Sequence, residues 1–492
     1  MYKKCNECNR ERRVVDKGQQ ICLICYKIKT MLKSSGNKVI DDFIRYTQSD
    51  YSIMVGGKME FIPYEQFNNI EFIAEGGFSK IYKATWVDGP IEWYFFKRSA
   101  DYIFRKNYYM VALKKLNNSK NITSKELNEI VSNSYTTSYV CEYFGITQEP
   151  VNKDIIIVMP YYNSGDLMHY LSNDFYNISW FIKLCRLYNI IVGLKNIHEA
   201  KIIHRDLHSG NIFFSKHFAC IGDLGISKSA TEFTDNNENY GIIPYMAPEI
   251  FQGQKYTEAS DVYSFGMIMW EFMTGRRPFW NENHDTELII NICDGLRPPI
   301  VTNAPEGYIE LMKDCWHSDP KKRPSAIVIY WKLNKMRDTE RKNTATKIME
   351  SSDIGPVTIN NPGAIYKSRP LSHLIQSAMS LRSLRNQAID PFYYYCMENN
   401  ESFTDKRKFE VDLVDKNNNK DNGTKIKPYK ISYFYYRLIG QSIKRRKFFG
   451  EINNDYFTKE IELDININSN QPNNNGYISY ITKEIELDIN AL

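Results

Sequence analysis

The chain has 492 residues, which is enough for two or three domains of about 100–200 residues each. Hydrophobic residues make up 42% of it and charged residues 25%, proportions that exclude a collagen-like or wholly disordered protein. The formal net charge is only +5, so the composition predicts neither nucleic acid nor an anionic membrane as the main partner. No apolar run reaches the roughly 18 residues that a membrane-spanning helix needs, and the amino end carries no hydrophobic signal core. We therefore expect a chain that works in the cytoplasm.

Four of the ten cysteines lie within the first 25 residues, as two C-x-x-C pairs. One pair is Cys5 and Cys8, the other is Cys22 and Cys25, and 13 residues separate the two pairs. In a reducing compartment this pattern predicts tetrahedral thiolate ligation of Zn²⁺, because each pair can bind the ion from one tight turn. The alternative is four structural or incidental cysteines. Residues 1–33 are also rich in Lys and Arg, which we interpret as a solvated face around a small zinc knob rather than a nucleic-acid contact.

Local composition divides the rest of the chain into a connector, a folded domain and a tail. Residues 34–66 show no clean hydrophobic period and are interpreted as a connector. From 67 to 337, β-branched and aromatic runs come first and apolar helical periods follow, which predicts one domain in two halves. Buried helices are expected at 184–200 and 261–273. An exposed excursion is expected at 87–110.

Residues 338–492 are polar and rich in Asn, so that they bury too little surface to order themselves. We expect this tail to be largely disordered. An eleven-residue unit recurs in it, at 456–466 and 480–490. Its apolar residues alternate with acids, which is a strand period, but two copies are below the three that a stable array needs. Partner binding, self-association through this strand and low-complexity drift are the alternatives for its role.

Two short segments carry the first residues that could bind a nucleotide. The turn Ala74-Glu75-Gly76-Gly77-Phe78-Ser79 joins two predicted strands, and small residues there let backbone N–H groups approach phosphates. Glycine turns also join many hairpins without any such role. The strand 111–114 ends in Lys114, whose amine is either placed to grip phosphate oxygens or simply exposed at a strand end. Glu129, with Glu126 as a rival one turn earlier, could hold that amine as an ion pair.

Three further motifs follow in a fixed order. They are His204-Arg205-Asp206 with Asn211, then Asp223-Leu224-Gly225, then Ala247-Pro248-Glu249. A single three-residue match would recur by chance, but the ordered set does not. Together with the glycine turn and Lys114, these motifs resemble the protein-kinase catalytic domain over a little more than half of the chain. The resemblance implies an α+β bilobal fold, with a small β-rich lobe and a larger helical lobe.

The resemblance also implies ATP and Mg²⁺ as cofactors and proteins as substrates. Asp206 would orient the substrate hydroxyl and accept its proton. Asn211 and Asp223 would ligate Mg²⁺, which prefers oxygen ligands. Lys114, held by Glu129, would bind the α- and β-phosphates. The residues implied to border ATP come from the glycine turn, two strands, the hinge and one ribose contact: Ala74, Glu75, Gly76, Gly77, Phe78, Ser79, Ile81, Ala112, Met159, Pro160, Tyr161, Tyr162 and Asp166.

Other matches concern the scaffold. Glu249 and Arg323 resemble the family's buried ion pair beneath the substrate platform, and Asp261 resembles the acid that anchors the catalytic loop. Residues 315–320, with Arg323 and the proline after it, are similar to the tyrosine-kinase-like and tyrosine-kinase branches. The catalytic loop itself resembles the Ser/Thr form more than the tyrosine form.

The sequence departs from the family pattern at several positions. Ala74 and Ser79 stand where the family often has glycines, which would stiffen the lid over ATP. His208 replaces a lysine that usually donates to the transferred phosphate, and Ile242 replaces the threonine that usually accompanies that lysine. We expect His208 to act as the donor. Because an imidazole is only partly charged at neutral pH, the rate should fall as pH rises, unless His208 donates as a neutral tautomer or merely packs against the loop.

The polar loop between Asp223 and Glu249 carries the hydroxyls of Ser227, Ser229, Thr231, Thr234 and Tyr240. Phosphorylation there should raise activity by pairing the loop with a basic group such as Arg205. An unregulated loop is the alternative.

Three functions remain in competition. The favoured one is an active kinase that phosphorylates Ser or Thr on proteins. The second is a pseudokinase scaffold, which the presence of Lys114, Asp206, Asn211 and Asp223 disfavours. The third is a zinc-tethered binding protein in which the kinase domain is secondary.

Overall fold

Most of the first 389 residues are described by the computed structural model. The described residues are 2–6, 11–16, 18, 20–49, 59–75, 79–94, 102–123, 138–223, 228–229, 239–342, 346–357 and 361–389. Nearly all of them belong to one compact unit, residues 1–386. Several predictions fall outside the described residues: those on Cys8, Gly76, Gly77, Phe78, Glu126, Glu129, Leu224, Ser227, Thr231, Thr234 and the repeat at 456–466 and 480–490. Among the residues that are described, no helix is both long enough and apolar enough to cross a bilayer.

Three short strands and a helix surround a small core at the amino end. Strands β1 (Tyr2–Lys4), β2 (Glu11–Asp16) and β3 (Ile21–Cys22) pair antiparallel in that order. Helix α1 (Leu23–Met31) follows at once. The core consists of Cys5, Ile21, Cys22 and Cys25, with Leu32 packed against it. So few apolar side chains cannot stabilise a fold of this size without a further restraint.

The segment 34–66, expected to be a connector, contains a docked helix. Helix α2 (Lys38–Ser49) begins after Asn37, whose Oδ1 accepts a hydrogen bond from the Val39 N–H at 2.9 Å. Ile40, Phe43 and Ile44 lie on one face of α2 and are buried against the sheet described next. Three apolar residues within little more than one turn give too short a period to recognise in the sequence.

A six-stranded sheet forms the small lobe. In spatial order its strands are β4 (Glu60–Phe61), β10 (Gly145–Gln148), β11 (Ile155–Pro160), β9 (Tyr109–Leu116), β6 (Ser79–Trp86) and β5 (Phe67–Glu75). All neighbours are antiparallel except β4 and β10. Because successive residues of a strand face opposite sides, Ile155 and Ile157 pack with α2, whereas Ile156 and Val158 pack in a second cluster on the other face.

The excursion 87–110 contains a separate hairpin, formed by β7 (Ile91–Tyr94) and β8 (Tyr102–Arg105). Arg105 ties this hairpin to the sheet. Its guanidinium donates to both carboxylate oxygens of Glu60, at 3.0 and 2.6 Å, and to the Gly89 carbonyl at 2.8 Å. Burial raises the pKa of Glu60, and the neighbouring Arg105 opposes that shift. The excursion is therefore fixed at its base by a largely buried ion pair.

Helices make up most of the large lobe: α3 (Leu167–Asp174), α4 (Trp180–Glu199), α5 (Pro248–Phe251), α6 (Glu258–Thr274), α7 (Thr286–Cys293), α8 (Tyr308–Cys315) and α9 (Ala326–Lys342). The helices predicted at 184–200 and 261–273 are confirmed as parts of α4 and α6. Helix α6 begins with a capping box between Thr257 and Ser260. Gly275 follows its last residue and has a φ of 74°, a left-handed conformation that favours glycine.

Short strand pairs near the lobe boundary position the loops of the candidate site. Strand β12 (Ile202–Ile203) pairs with β15 (Lys228–Ser229), and β13 (Ile212–Phe214) pairs with β14 (Ala219–Ile221). The loop 204–211 therefore leaves β12 and returns through β13. Residues 222–223 follow β14 directly.

Although the chain after residue 338 is polar in composition, it contains a folded segment at residues 369–389, called the extension below. Strand β17 (Arg369–Pro370) pairs with β16 (Tyr240–Gly241), and helix α10 (Ser372–Ile389) follows it. Leu371, Ile375 and Ala378 are buried in the same core as the large-lobe helices. The expectation of a disordered tail is therefore wrong for the extension. A few well-spaced apolar residues dock a segment whose average composition is polar.

Candidate active site

The buried carboxylate of Asp261 holds the start of the loop 204–211. Asp261, on α6, accepts hydrogen bonds from the backbone N–H groups of His204 and Arg205 at 2.8 and 2.9 Å. It also accepts from His198 Nε2, on α4, at 2.9 Å. The prediction that Asp261 anchors this loop is confirmed by these contacts. Arg205 itself adopts a φ of 72°, a strained conformation that persists only where the surroundings fix it.

The side chain of Asn211 is held by the main chain of Asp206. Asn211 Nδ2 donates to the Asp206 carbonyl at 2.9 Å, so the acceptor left on this amide is its oxygen. The Asn211 carbonyl in turn accepts the Gly222 N–H at 2.8 Å, which ties the loop to the residue before Asp223. The side chain of Asp206 is 13% exposed and thus within reach of a substrate.

His208 lies beside the carboxylate of Asp206. Its Nε2 is 3.5 Å from Asp206 Oδ2, and its Nδ1 accepts the Gly210 N–H at 3.1 Å. An Nδ1 that accepts a hydrogen bond carries no proton, so the proton of the ring sits on Nε2. The arrangement leaves Nε2 as the ring nitrogen that can donate, on the side that faces Asp206.

Lys114 and Asp223 form an ion pair across the lobes. Lys114 lies on β9, opposite Ile157 of β11 and Ile81 of β6, and is 9% exposed. Its Nζ donates to Asp223 Oδ1. Asp223 has a φ of 54°, again a conformation that is rare for a residue with a side chain. The structure thus joins two residues that the sequence places 109 positions apart.

The strands that flank the glycine turn are well defined. Ala74 pairs with Ile81, and Glu75 pairs with Lys80, to which it also forms an ion pair at 3.4 Å. Ser79 opens β6 and is buried. The turn predicted to cover the phosphates is thus bracketed by two paired strands.

The predicted hinge leaves the sheet at the end of β11. Met159 pairs with Ala112 of β9, and Pro160 is the last residue of β11. The Tyr161 N–H donates to the Met110 carbonyl at 3.3 Å. Tyr162 stacks on Phe213 with ring centroids 5.7 Å apart.

Asp166 serves as the N-cap of α3. Its Oδ1 accepts the His169 N–H at 2.8 Å. This capping contact uses one acceptor position of the carboxylate and leaves the others for the predicted ribose contact.

A family model described as protein tyrosine and serine/threonine kinase matches residues 67–333. This span is more than half of the chain and contains every described residue of the site above. The chain belongs to this kinase family.

Relatives of the kinase domain come from Dictyostelium discoideum. The protein named probable serine/threonine-protein kinase roco5 is 30% identical over 295 residues, which are 55% of this chain and 10% of roco5. A probable LIM domain-containing serine/threonine-protein kinase is 34% identical over 177 residues, 36% of this chain and 27% of that protein. Another probable serine/threonine-protein kinase is 28% identical over 302 residues, 58% of this chain and 20% of that protein. The chain thus spans between a tenth and about a quarter of the length of these relatives.

The ion pair predicted beneath the substrate platform of the kinase domain is confirmed. Both Nη atoms of Arg323 donate to Glu249, one to each carboxylate oxygen, at 2.7 Å. The Arg323 Nε donates to the His317 carbonyl at 2.8 Å. Both side chains are buried, so this bidentate pair fixes the start of α5 against the segment before α9.

Sequence reasoning missed a buried chain of hydroxyls that links the catalytic loop to α6. Ser209 Oγ lies 2.9 Å from Tyr245 Oη, which donates to Glu271 Oε1 at 2.7 Å. Burial raises the pKa of Glu271 to about 8, against the opposing effect of the Tyr245 hydrogen bond. The second oxygen, Oε2, has no hydrogen-bond partner among the described residues. No sequence pattern relates these three residues, because they come from three separate elements.

A pair of thiols beside the hinge was missed as well. Cys141 and Cys220 lie with their Sγ atoms 3.1 Å apart, and both are buried. Burial raises the pKa of the Cys141 thiol, which favours its neutral form. The sequence separates them by 79 positions, so no local pattern relates them.

The amino-terminal cysteines also come together. The Sγ atoms of Cys5, Cys22 and Cys25 all lie within 4.8 Å of one another, and all three residues are buried. The Cys22 N–H donates to Cys5 Sγ at 3.2 Å, which links the two ends of this cysteine cluster. Three converging sulfur atoms are a donor set that suits Zn²⁺, and Cys8, outside the described residues, would be the fourth.

Proposed function

We propose that the chain is an ATP- and Mg²⁺-dependent kinase that transfers the γ-phosphate of ATP to Ser or Thr hydroxyls of proteins. The observation that carries this proposal is the continuous path of contacts from Asp206 through Asn211 and Gly222 to Asp223 and Lys114. Phosphoryl transfer needs positioning and charge neutralisation more than covalent chemistry. A cleft that brings one amine, one amide and two carboxylates together from both lobes meets that need.

Each residue has a distinct task in this proposal. Asp206 orients the substrate hydroxyl and takes its proton as the oxygen attacks phosphorus. Lys114 binds phosphate oxygens, and its ion pair with Asp223 keeps its amine beside a carboxylate that would hold Mg²⁺. Asn211 and Asp223 offer the amide and carboxylate oxygens that would hold Mg²⁺. Magnesium, when bound, neutralises charge on the phosphate oxygens.

His208 adds a donor on the substrate side. With Nδ1 engaged by the Gly210 N–H, Nε2 is the ring nitrogen that can donate to the transferred phosphate. Comparing the rates of wild type and His208→Lys from about pH 6 to 8.5 tests whether the charge of this donor matters, and superimposable profiles would show that it does not. A wild-type rate that falls on the alkaline side, and that lysine restores, would instead favour a charged histidine.

The preference for Ser or Thr rests on the form of the catalytic loop and on the kinase relatives, whose names carry that specificity. Phosphoamino-acid analysis of a labelled protein substrate tests this preference directly. Phosphotyrosine as the main product would contradict it.

The central experiment measures transfer of labelled γ-phosphate from ATP to dephosphorylated casein by the full chain. Asp223→Ala should abolish transfer, because it removes both a magnesium ligand and the partner of Lys114. The matched control is Asp353→Ala, which removes an exposed carboxylate outside the cleft. Equal transfer by wild type and Asp223→Ala would refute the kinase proposal. Binding of ATP without any transfer by the wild type would favour the pseudokinase scaffold.

Three further proposals concern the parts of the chain outside the candidate active site. We propose that the amino-terminal segment binds one Zn²⁺ through Cys5, Cys8, Cys22 and Cys25. Thiolate ligation of this kind, and a supply of ATP, suit the cytoplasm. We further propose that phosphorylation between Asp223 and Glu249 raises activity and that the repeat at 456–466 and 480–490 binds a partner or a second copy of the chain. Zinc analysis, mass spectrometry of the kinase after incubation with ATP, and the mass of the chain in solution test these three points in turn.

A further inference from the structure

The folded extension pairs through its backbone with residues 239–241, the segment that leads into the substrate platform. In β16 and β17, Tyr240 lies opposite Pro370 and Gly241 lies opposite Arg369. Asn239, just before β16, is held twice: its carbonyl accepts the Leu371 N–H at 2.8 Å, and its N–H donates to Ser372 Oγ at 3.0 Å. The backbone of residues 239–241 is therefore fixed by residues that follow the family-matched region.

This contact lies next to the residue proposed to act on the substrate hydroxyl. A Cβ atom added to Gly241 would lie 3.9 Å from Asp206 Oδ1. Directly after Gly241 the chain continues in a buried stretch that includes Tyr245, whose Oη lies 2.9 Å from Ser209 Oγ of the catalytic loop. A shift of residues 239–241 would therefore also move the residues that follow them, including Tyr245, relative to Asp206.

The extension is well enough anchored to act as a fixed support. Leu371, Ile375 and Ala378 are buried in the large-lobe core. Arg369 Nη2 donates to the His284 carbonyl at 2.8 Å. Two ion pairs hold the exposed side of α10, Arg382 with Asp294 at 2.8 Å and Arg385 with Glu287 at 2.6 Å. These contacts involve α7 and the residues on both sides of it, so the extension is held at several points along its length.

We propose that residues 369–372 are positioning residues for the protein substrate, which act by holding residues 239–241 beside Asp206. This inference rests on the proposed kinase function and adds a requirement to it. Because the extension restrains this backbone before the substrate arrives, the loss of conformational freedom occurs on folding and not on substrate binding. Loss of the restraint should weaken the binding of a protein substrate and leave the binding of ATP intact.

The test uses the full chain with Ser372→Ala, Ser372→Thr and, as the matched control, Ser377→Ala. Ser377 lies on the same helix, is exposed, and donates only to the His373 carbonyl one turn earlier. Deletion of the extension would be uninformative, since it would remove buried core residues. Ser372→Ala should raise the KM for dephosphorylated casein about three- to tenfold, as expected for one lost hydrogen bond to a restrained backbone. The KM for ATP and the rate of ATP hydrolysis without casein should not change, and Ser372→Thr should restore the casein KM.

Amide hydrogen exchange provides a readout that does not depend on activity. The amides of residues 239–246 should exchange faster in Ser372→Ala than in wild type or Ser377→Ala. Unchanged exchange in this segment would overturn the positioning role, and so would an unchanged casein KM. A parallel loss of ATP hydrolysis, ATP binding and thermal stability would also overturn it, since that pattern marks a general structural role. If wild type transfers no phosphate at all, the kinase proposal fails, and the exchange experiment still decides whether the extension restrains the platform.

Discussion

Replacement of Glu271 by Gln should stabilise the kinase domain in a way that depends on pH. Glu271 is fully buried on α6, and burial raises its pKa from 4.5 to about 8. A carboxyl group whose pKa is raised by folding contributes stability at low pH, and that stability is lost as pH rises through the window from 4.5 to 8. Gln keeps an oxygen that can accept the Tyr245 hydroxyl and cannot ionise. It therefore removes the cost of burying a charge.

The size of the effect follows from the two pKa values. At pH 6 the wild-type carboxyl is still protonated in the fold but ionised in the unfolded chain, which costs about 2 kcal/mol. At pH 9 it is ionised in both states and the cost reaches about 5 kcal/mol. The gain in unfolding free energy from Glu271→Gln should thus grow by about 3 kcal/mol between pH 6 and pH 9. Effects of the amide itself are the same at both pH values and cancel in this difference.

Urea unfolding of the full chain, followed by tryptophan fluorescence at the two pH values, measures this difference. Glu306→Gln, which neutralises an exposed carboxylate in the same domain, is the matched control and should give the same small change at both pH values. A gain for Glu271→Gln that is equal at pH 6 and pH 9 would refute the reasoning. It would mean that Glu271 does not carry an uncompensated charge in the fold.

Three further predictions concern other parts of the chain. Lys183 is fully buried over the ring of Phe175, and burial lowers its pKa from 10.5 to about 7. Lys183→Met should therefore raise the unfolding free energy by up to about 5 kcal/mol at pH 6 and by about 2 kcal/mol at pH 9, a trend opposite to that of Glu271→Gln. An equal gain at both pH values would contradict this prediction. Zinc analysis should find about one Zn²⁺ per chain, which Cys25→Ser should release because thiolates provide the donor set; no zinc in the wild type would refute the site. Arg323→Lys should lower the unfolding free energy by about 2–4 kcal/mol, since lysine cannot reproduce the bidentate contact with buried Glu249; a change below about 0.5 kcal/mol in urea unfolding would contradict it.

The sequence alone was sufficient to predict the family and to locate the side chains of the candidate site. Ordered short motifs identified Asp206, Asn211, Asp223 and Lys114 because each chemical task allows few residue types at a fixed local spacing. Long apolar periods likewise located α4 and α6. Helix α2 was not predicted because its three buried apolar residues span little more than one turn. The extension was not predicted because polar residues separate the few apolar residues that dock it.

What only the tertiary structure decided are the relations between residues far apart in the chain. Nothing in the sequence shows that Lys114 meets Asp223, that Arg105 meets Glu60, or that Nδ1 of His208 is already engaged by Gly210. The pairing of β16 with β17 is of the same kind, since backbone hydrogen bonds between strands carry no side-chain signature. Local spacing determines which groups a segment can offer, whereas packing of the whole core determines which groups meet and in what state of charge. The sequence therefore identified the residues of the candidate site, and the fold determined how they are held.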